Sequence, residues 1–347
     1  WRAAGNSICA EPHVVPHSDA AGMSAGDVAM SVTRPPAAES PARTSHRTLW
    51  LRLAGAAVLL VIIARFIDVD EVWPVLRALT LPSMAFILVL TAVTWSVGII
   101  KWKTLLPDVP LGEVAGFYLI GMLYSLVLPG QLAGEAVKAA RLGARGAGIG
   151  PVGASVVIDR LTSLVGLGIV SGIGLWLSGH HGQTFRTLGW VIGLVTVAFI
   201  ALLFVIRVPA FAGAAARRNY RFLNAWMEYG GNRPLVLKTF ALAIAFQFGN
   251  VAIVSAIAAA LGVPVAFADI AWVVGVVSIL TLVPISFGGV GVREAGFVGF
   301  LALIGIPAAQ ALSLSLICSL IIVIGALAGL VVELNWLHRA RRVTGGR

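Results

Sequence analysis

Pro284-Ile285-Ser286-Phe287-Gly288-Gly289-Val290-Gly291-Val292-Arg293-Glu294 interrupts an otherwise apolar C-terminal half. Proline removes a backbone donor, and the glycines loosen any helix that contains them. Arg293 and Glu294 then set charge beside hydrocarbon, where it needs partners. A plain inter-helix loop carrying an ion pair is the simpler reading of such a cluster. Irregular backbone buried in protein or lining a cavity is the other. The surroundings of the stretch bear on the choice.

The chain of 347 residues is 59% hydrophobic and 12% charged, with a mean hydropathy of +0.94. A soluble domain carries about 25% charged residues. Several apolar runs approach the roughly 20 residues that cross a bilayer. An all-α polytopic membrane protein follows. The net charge of +10 would suggest nucleic acid in a soluble protein. Here Lys and Arg gather in short loops and at the C-terminus, so they report orientation in the membrane and no nucleic-acid partner. Cys9 lies in a polar tail and Cys318 in an apolar run, which builds neither a disulfide framework nor a metal site. With no His/Cys metal spacing, nucleotide-binding loop or catalytic set in view, neither a cofactor nor an enzymatic activity is expected.

Residues 1–47 are rich in Ala, Pro, Ser and Arg and read as a disordered cytoplasmic tail, with Met23 or Met30 as alternative natural starts. The membrane domain spans 48–338. Its first run, Leu49–Ile67, follows Arg43 and Arg47, which places the N-terminus inside. Ser83–Ile100 ends in Lys101 and Lys103, read as cytoplasmic. Glu113–Leu128, Val152–Leu177 and Trp190–Ile206 follow, with His180 and His181 in a solvated loop. The basic segment 207–238 is cytoplasmic or interfacial. Thr239–Leu261, Ile270–Val283, Ala295–Ile306 and Ala311–Val332 complete the runs, before a basic cytoplasmic tail at 339–347.

Charge parity then exposes a conflict. Residues 101–112, 129–151 and 207–238 all carry cytoplasmic charge, so Glu113–Leu128 has both ends on one side. It is also short for a crossing, as are 270–283 and 295–306. These segments read as two re-entrant hairpins, 113–148 entering from the cytoplasm and 270–306 from outside. About six full spans remain.

A repeat supports this. Pro129-x4-Gly134-x3-Lys138 recurs as Pro284-x4-Gly289-x3-Arg293, an offset of 155 (129 to 284). The spans before the hairpins start 156 apart (83 to 239). Gly168 with Gly172 recurs as Gly325 with Gly329, 157 apart (168 to 325). Units 83–177 and 239–332 thus form an inverted repeat, a transporter architecture.

Each break, Pro129-Gly130…Gly134 and Pro284…Gly288-Gly289…Gly291, opens a helix N-terminus whose free N–H groups attract anions. Lys138 and Arg293 add formal charge at equivalent positions. Arg160 follows Asp159 in the next span, and Glu135, Arg141, Glu294 and Ser286 complete the candidate substrate-binding set. The set suits an anionic headgroup such as a lipid phosphate, gripped by Arg and with acids holding the cations when the site is empty. Two plainer readings stay open: Arg293–Glu294, Asp159–Arg160 and Glu135–Lys138 as ion pairs that only join helices, and Lys138, Arg141 and Arg145 as orientation residues.

At these residues the chain resembles the lysylphosphatidylglycerol synthase/flippase transmembrane-domain family. The resemblance rests on Leu128-Pro129-Gly130…Gly134-Glu135…Arg141, on Ser155…Asp159-Arg160-Leu161, and on Pro284-x-Ser286-x-Gly288-Gly289-x-Gly291-Val292-Arg293-Glu294, and it covers about 49–340. Ala133-Gly134-Glu135 stands where the family often has Gly-Gly-Asp. The resemblance implies a multi-pass protein of a bacterial inner membrane that moves or handles lipids, with both termini cytoplasmic. The chain ends shortly after its last span, so the soluble aminoacyl-transferase domain of some members is expected to be absent. The expected function is a flippase for an anionic phospholipid or lipid-linked sugar. A membrane-embedded transferase and a scaffold of lipid-synthesis enzymes are the alternatives, with a homo-oligomer as a further partner.

Overall fold

The computed structural model describes residues 79–128, 131–205, 221–282 and 289–344. The tail 1–47, the first run 49–67, Pro129, Gly130, Pro284, Ser286 and Gly288 lie outside the described residues.

Ten α-helices are described: α1 Leu81–Thr104, α2 Leu111–Val127, α3 Gln131–Leu142, α4 Ile149–Leu177, α5 Gln183–Val205, α6 Arg221–Gly231, α7 Arg233–Ala260, α8 Phe267–Leu280, α9 Val292–Ala302 and α10 Ala308–Thr344. Five of them, α1, α4, α5, α7 and α10, are long and apolar enough to cross a membrane. These five helices overlap five of the apolar runs read from the sequence. The protein is a polytopic, all-helical membrane protein in its described residues.

Local chemistry sets the ends. Thr80 Oγ1 accepts from the Ser83 N–H at the start of α1, and Asn232 Oδ1 accepts from the Leu235 N–H, 3.1 Å, at the start of α7. Pro82 and Pro234 stand in the first turns, where a missing N–H is harmless. On α5, Trp190, Leu194 and Val197 are all exposed, the mark of a helix facing acyl chains.

The two short pairs are antiparallel hairpins. In α2–α3, an added Cβ on Gly134 would lie 2.1 Å from Ser125 Oγ and 2.3 Å from the Gly121 carbonyl oxygen. In α8–α9, Trp272 meets Phe300 edge-on at 6.1 Å, and Gly296 packs on Val277. Each hairpin leans on the helix that follows the other one. Gly329 of α10 abuts the backbone of Leu119 in α2, and Gly174 of α4 abuts Ala271 and Ala268 in α8. Small residues permit both approaches. Gly168 and Gly172, which the repeat matched to Gly325 and Gly329, face α5 instead, through Thr196 and Ile192.

Helices extend into the basic segments. Within 207–238, Arg233 and Lys238 lie in the first turns of α7, while α6 docks its Trp226 and Phe222 beside Leu105, Ile158 and Leu161. The tail 339–347 is helical as far as Thr344, because α10 continues beyond the apolar run. His180 is not simply solvated. Its Nε2 lies 2.9 Å from Asp269 Oδ1 and its ring stacks on Phe185 at 4.6 Å.

Candidate functional site

Polar side chains from α1, α2, α3, α4, α7, α8 and the start of α9 converge on one cavity of about 280 Å³. The charged groups on its wall are Lys101, Lys138, Arg160 and Arg293 against Glu135 and Asp159. Four cations and two acids leave a formal surplus of two positive charges.

The first hairpin contributes the most connected part. Lys138, 1% exposed, pairs with Glu135 one turn earlier, and its Nζ sits 4.4 Å from the centre of the Trp102 ring and 5.5 Å from that of Tyr118. Glu135 reaches a second cation: its Oε1 accepts from Arg160 Nη2 at 2.7 Å. Arg160 Nε is buried with no hydrogen-bond partner. This guanidinium therefore keeps donor capacity that a second acceptor could take up.

Lys101 is the residue that sequence reasoning misplaced. It is not a surface marker at the end of a span; it is 2% exposed. Its ammonium donates to the Asp159 carbonyl at 2.8 Å and to Ser163 Oγ, and lies 3.0 Å from Asp159 Oδ1. Helix α1 runs on to Thr104, and Leu105 and Leu106 are buried beyond it, so the lysine stays inside. Gln247 and Asn250 were also missed. Asn250 Nδ2 donates to Gln247 Oε1 at 3.2 Å, and Gln247 Nε2 to the Ser163 carbonyl at 2.8 Å. Two amides one turn apart in an apolar span were the available signal.

The second hairpin brings Arg293, 7% exposed, to the same wall. Its Nη1 donates to Ser319 Oγ at 3.0 Å, and Ser319 donates to Glu294 Oε1 at 2.8 Å. Glu294 Oε2 accepts from the Gly291 N–H at 2.5 Å, closing the first turn of α9. Gly291 has φ +85 and Gly289 φ +80, conformations that favour glycine. Glu294 thus positions Ser319 and Arg293 and is not itself among the wall residues. Arg141 is not among them either: it pairs with Glu333 of α10 at 2.7 Å and lies over the Tyr124 ring at 6.0 Å. Of the neighbouring charges read as mutual pairs, Glu135–Lys138 is one; Asp159 turns to Lys101 and Arg160 to Glu135.

The family model for the lysylphosphatidylglycerol synthase TM region matches residues 49–329. The chain belongs to this family. It is an integral membrane protein related to lipid metabolism. No curated protein and no solved structure matches it. The family match spans both hairpins and every charged residue of the cavity wall.

Proposed function

We propose that this member of the lysylphosphatidylglycerol synthase TM family is a lipid flippase that passes an anionic, phosphate-bearing headgroup through the cavity between its two hairpins. The observation that carries the reading is the cavity wall, four cations against two acids. A dianionic phosphate neutralises that surplus. Glu135, held between Lys138 and Arg160, occupies the place of an anion. An arriving phosphate takes up the Arg160 Nε donor, which has no other partner, so Glu135 keeps both of its cations and no buried charge is left unpaired. Arg160 and Arg293 supply the planar forks that suit phosphate oxygens.

Alternating access fits the frame. In our reading the units 83–177 and 239–332 are an inverted repeat, with α2–α3 entering from the cytoplasm and α8–α9 from outside. The reciprocal packing of α10 on α2 and of α4 on α8 supports this. Both termini are cytoplasmic and the membrane is the bacterial inner membrane. Membrane lipids, an anionic phospholipid or a lipid-linked sugar, are the partners, and no catalytic step is required.

The test is headgroup movement in vesicles that contain the purified protein. Arg293→Ala should abolish movement of a labelled anionic phospholipid while the protein remains folded by circular dichroism. A folded Arg293→Ala protein that moves the lipid at the wild-type rate overturns the proposal.

A further inference from the structure

Behind Arg293 lies a second cavity, of about 210 Å³. It shares Trp95, Asn250, Ser278, Arg293 and Ile322 with the first. The rest of its wall is apolar apart from Thr281 and Cys318. Val254, Val274, Val277 and Phe297 dominate, from α7, α8 and α9. All four are buried. Arg293 thus stands at the junction of a charged chamber and an apolar one. The contacts through Ser319 and Glu294 hold it there.

We infer that the two chambers form one bipartite site for a single amphiphile. Its phosphate meets Lys138, Arg160 and Arg293, and the alkyl segment next to the phosphate enters the chamber walled by Val254, Val277 and Phe297. This rests on the phosphate reading above and deepens it: the first apolar carbons of the ligand are bound by protein, not left in the bilayer. The physical reason is adjacency. A phosphate monoester joins a doubly charged group to methylenes across a single oxygen, and the cavity changes from charged to apolar across a single side chain. Apolar carbons gain by leaving water for such a wall. The volume holds only a short segment, so the longer remainder of a chain must leave toward lipid.

Cys318 reports on the chamber directly, being part of its wall and the only free cysteine among the described residues. A Cys9→Ser chain in lipid nanodiscs is alkylated with N-ethylmaleimide, and the rate at Cys318 is read by mass spectrometry. Inorganic phosphate, butyl phosphate, octyl phosphate and octanol are compared. Octyl phosphate should slow alkylation several-fold, butyl phosphate less, and inorganic phosphate should reverse the protection by competing for the cations. Val254→Phe, which fills the chamber, should erase the dependence on chain length and leave inorganic phosphate binding intact by calorimetry. If inorganic phosphate binds but no alkyl phosphate protects Cys318, the bipartite site is overturned while the anion reading stands. Equal protection by octanol also overturns it, since the apolar void then acts alone. If inorganic phosphate does not bind at all, both readings fall together.

Discussion

In the first hairpin Lys138 reaches the cavity in direct contact with an acid, Glu135, while in the second Arg293 reaches the same cavity through a hydroxyl, Ser319, that links it to Glu294, with an apolar chamber on its other side. Lys138 shares Glu135 with Arg160, and the adjoining pair Lys101–Asp159 is built into the same wall. Arg293 donates to Ser319, and its chamber is lined by valines and Phe297. The helical frames match: both are antiparallel pairs with a glycine at the close approach, and each leans on the long helix that follows the other. A common frame therefore carries two kinds of lining. Charges that neutralise one another directly contribute to holding helices together; Arg293 instead donates to a hydroxyl that links it to Glu294. Changes on the first side should be felt in stability, and changes at Arg293 in ligand handling.

The largest effect should come from Lys101→Met. It leaves Asp159, 6% exposed, without its cation. Removing one partner of a buried pair costs about 3–5 kcal/mol. Thermal unfolding in detergent should show a large loss of stability, and the double variant Lys101→Met/Asp159→Leu should recover most of it. An unchanged midpoint in Lys101→Met would remove the stabilising role assigned to this ion network and with it the contrast between the hairpins.

A smaller effect separates a glycine needed for close packing from one needed for its backbone conformation. Gly134→Ala puts a methyl 2.3 Å from the Gly121 carbonyl oxygen, a backbone atom that cannot swing away. Overpacking of this kind costs about 1–3 kcal/mol, and Gly134→Ala should fall at the upper end. Gly289→Ala meets nothing nearer than 3.1 Å, but its φ of +80 is strained for alanine by about 1–2 kcal/mol. The discriminating variant is Ser125→Ala. Removing that hydroxyl should relieve Gly134→Ala only in part, because the carbonyl contact remains. Full rescue by Ser125→Ala would mean that the first hairpin closes on side chains and not on backbone.

Much of this frame was legible in the chain. The short apolar runs became the short helices α2, α8 and α9, and Lys138 and Arg293, picked out by their matched spacing, both line one cavity. Lys101 was not legible, because a lysine at the end of an apolar run looks like a surface marker. Only the continuation of α1 to Thr104, the buried Leu105 beyond it and the docking of Trp226 from α6 show otherwise. Arg141 and Glu333 are equally opaque, being partners 192 residues apart. The composition of the second chamber was hidden for a related reason. Val254, Val277 and Phe297 are ordinary span residues, and only packing distinguishes a cavity wall from a lipid-facing surface.

The bases of the hairpins offer the finest comparison. Before α2, Lys103 Nζ donates to the carbonyls of Pro107 and Val109, both at 2.7 Å, and the Tyr229 hydroxyl donates to the Leu105 carbonyl at 2.7 Å. At α8, Asp269 takes that role through His180 and the Trp272 indole, at 2.9 and 3.2 Å. Tyr229→Phe should cost about 1 kcal/mol, the usual net value of one such bond. It should also change the response to alkali. Burial, with Glu228 and Asp108 nearby, pushes the Tyr229 phenol from 10.0 up to about 12. Below pH 10 the phenol is protonated in folded and unfolded chains alike, and its bond contributes in full. Between pH 10 and 12 the unfolded chain loses that proton first, so wild-type stability falls with a term that Tyr229→Phe lacks. The difference in unfolding midpoint between the two proteins should therefore narrow as pH rises through this window. A constant difference would show that the hydroxyl is open to water, and that the first hairpin's base is held by Lys103 without it.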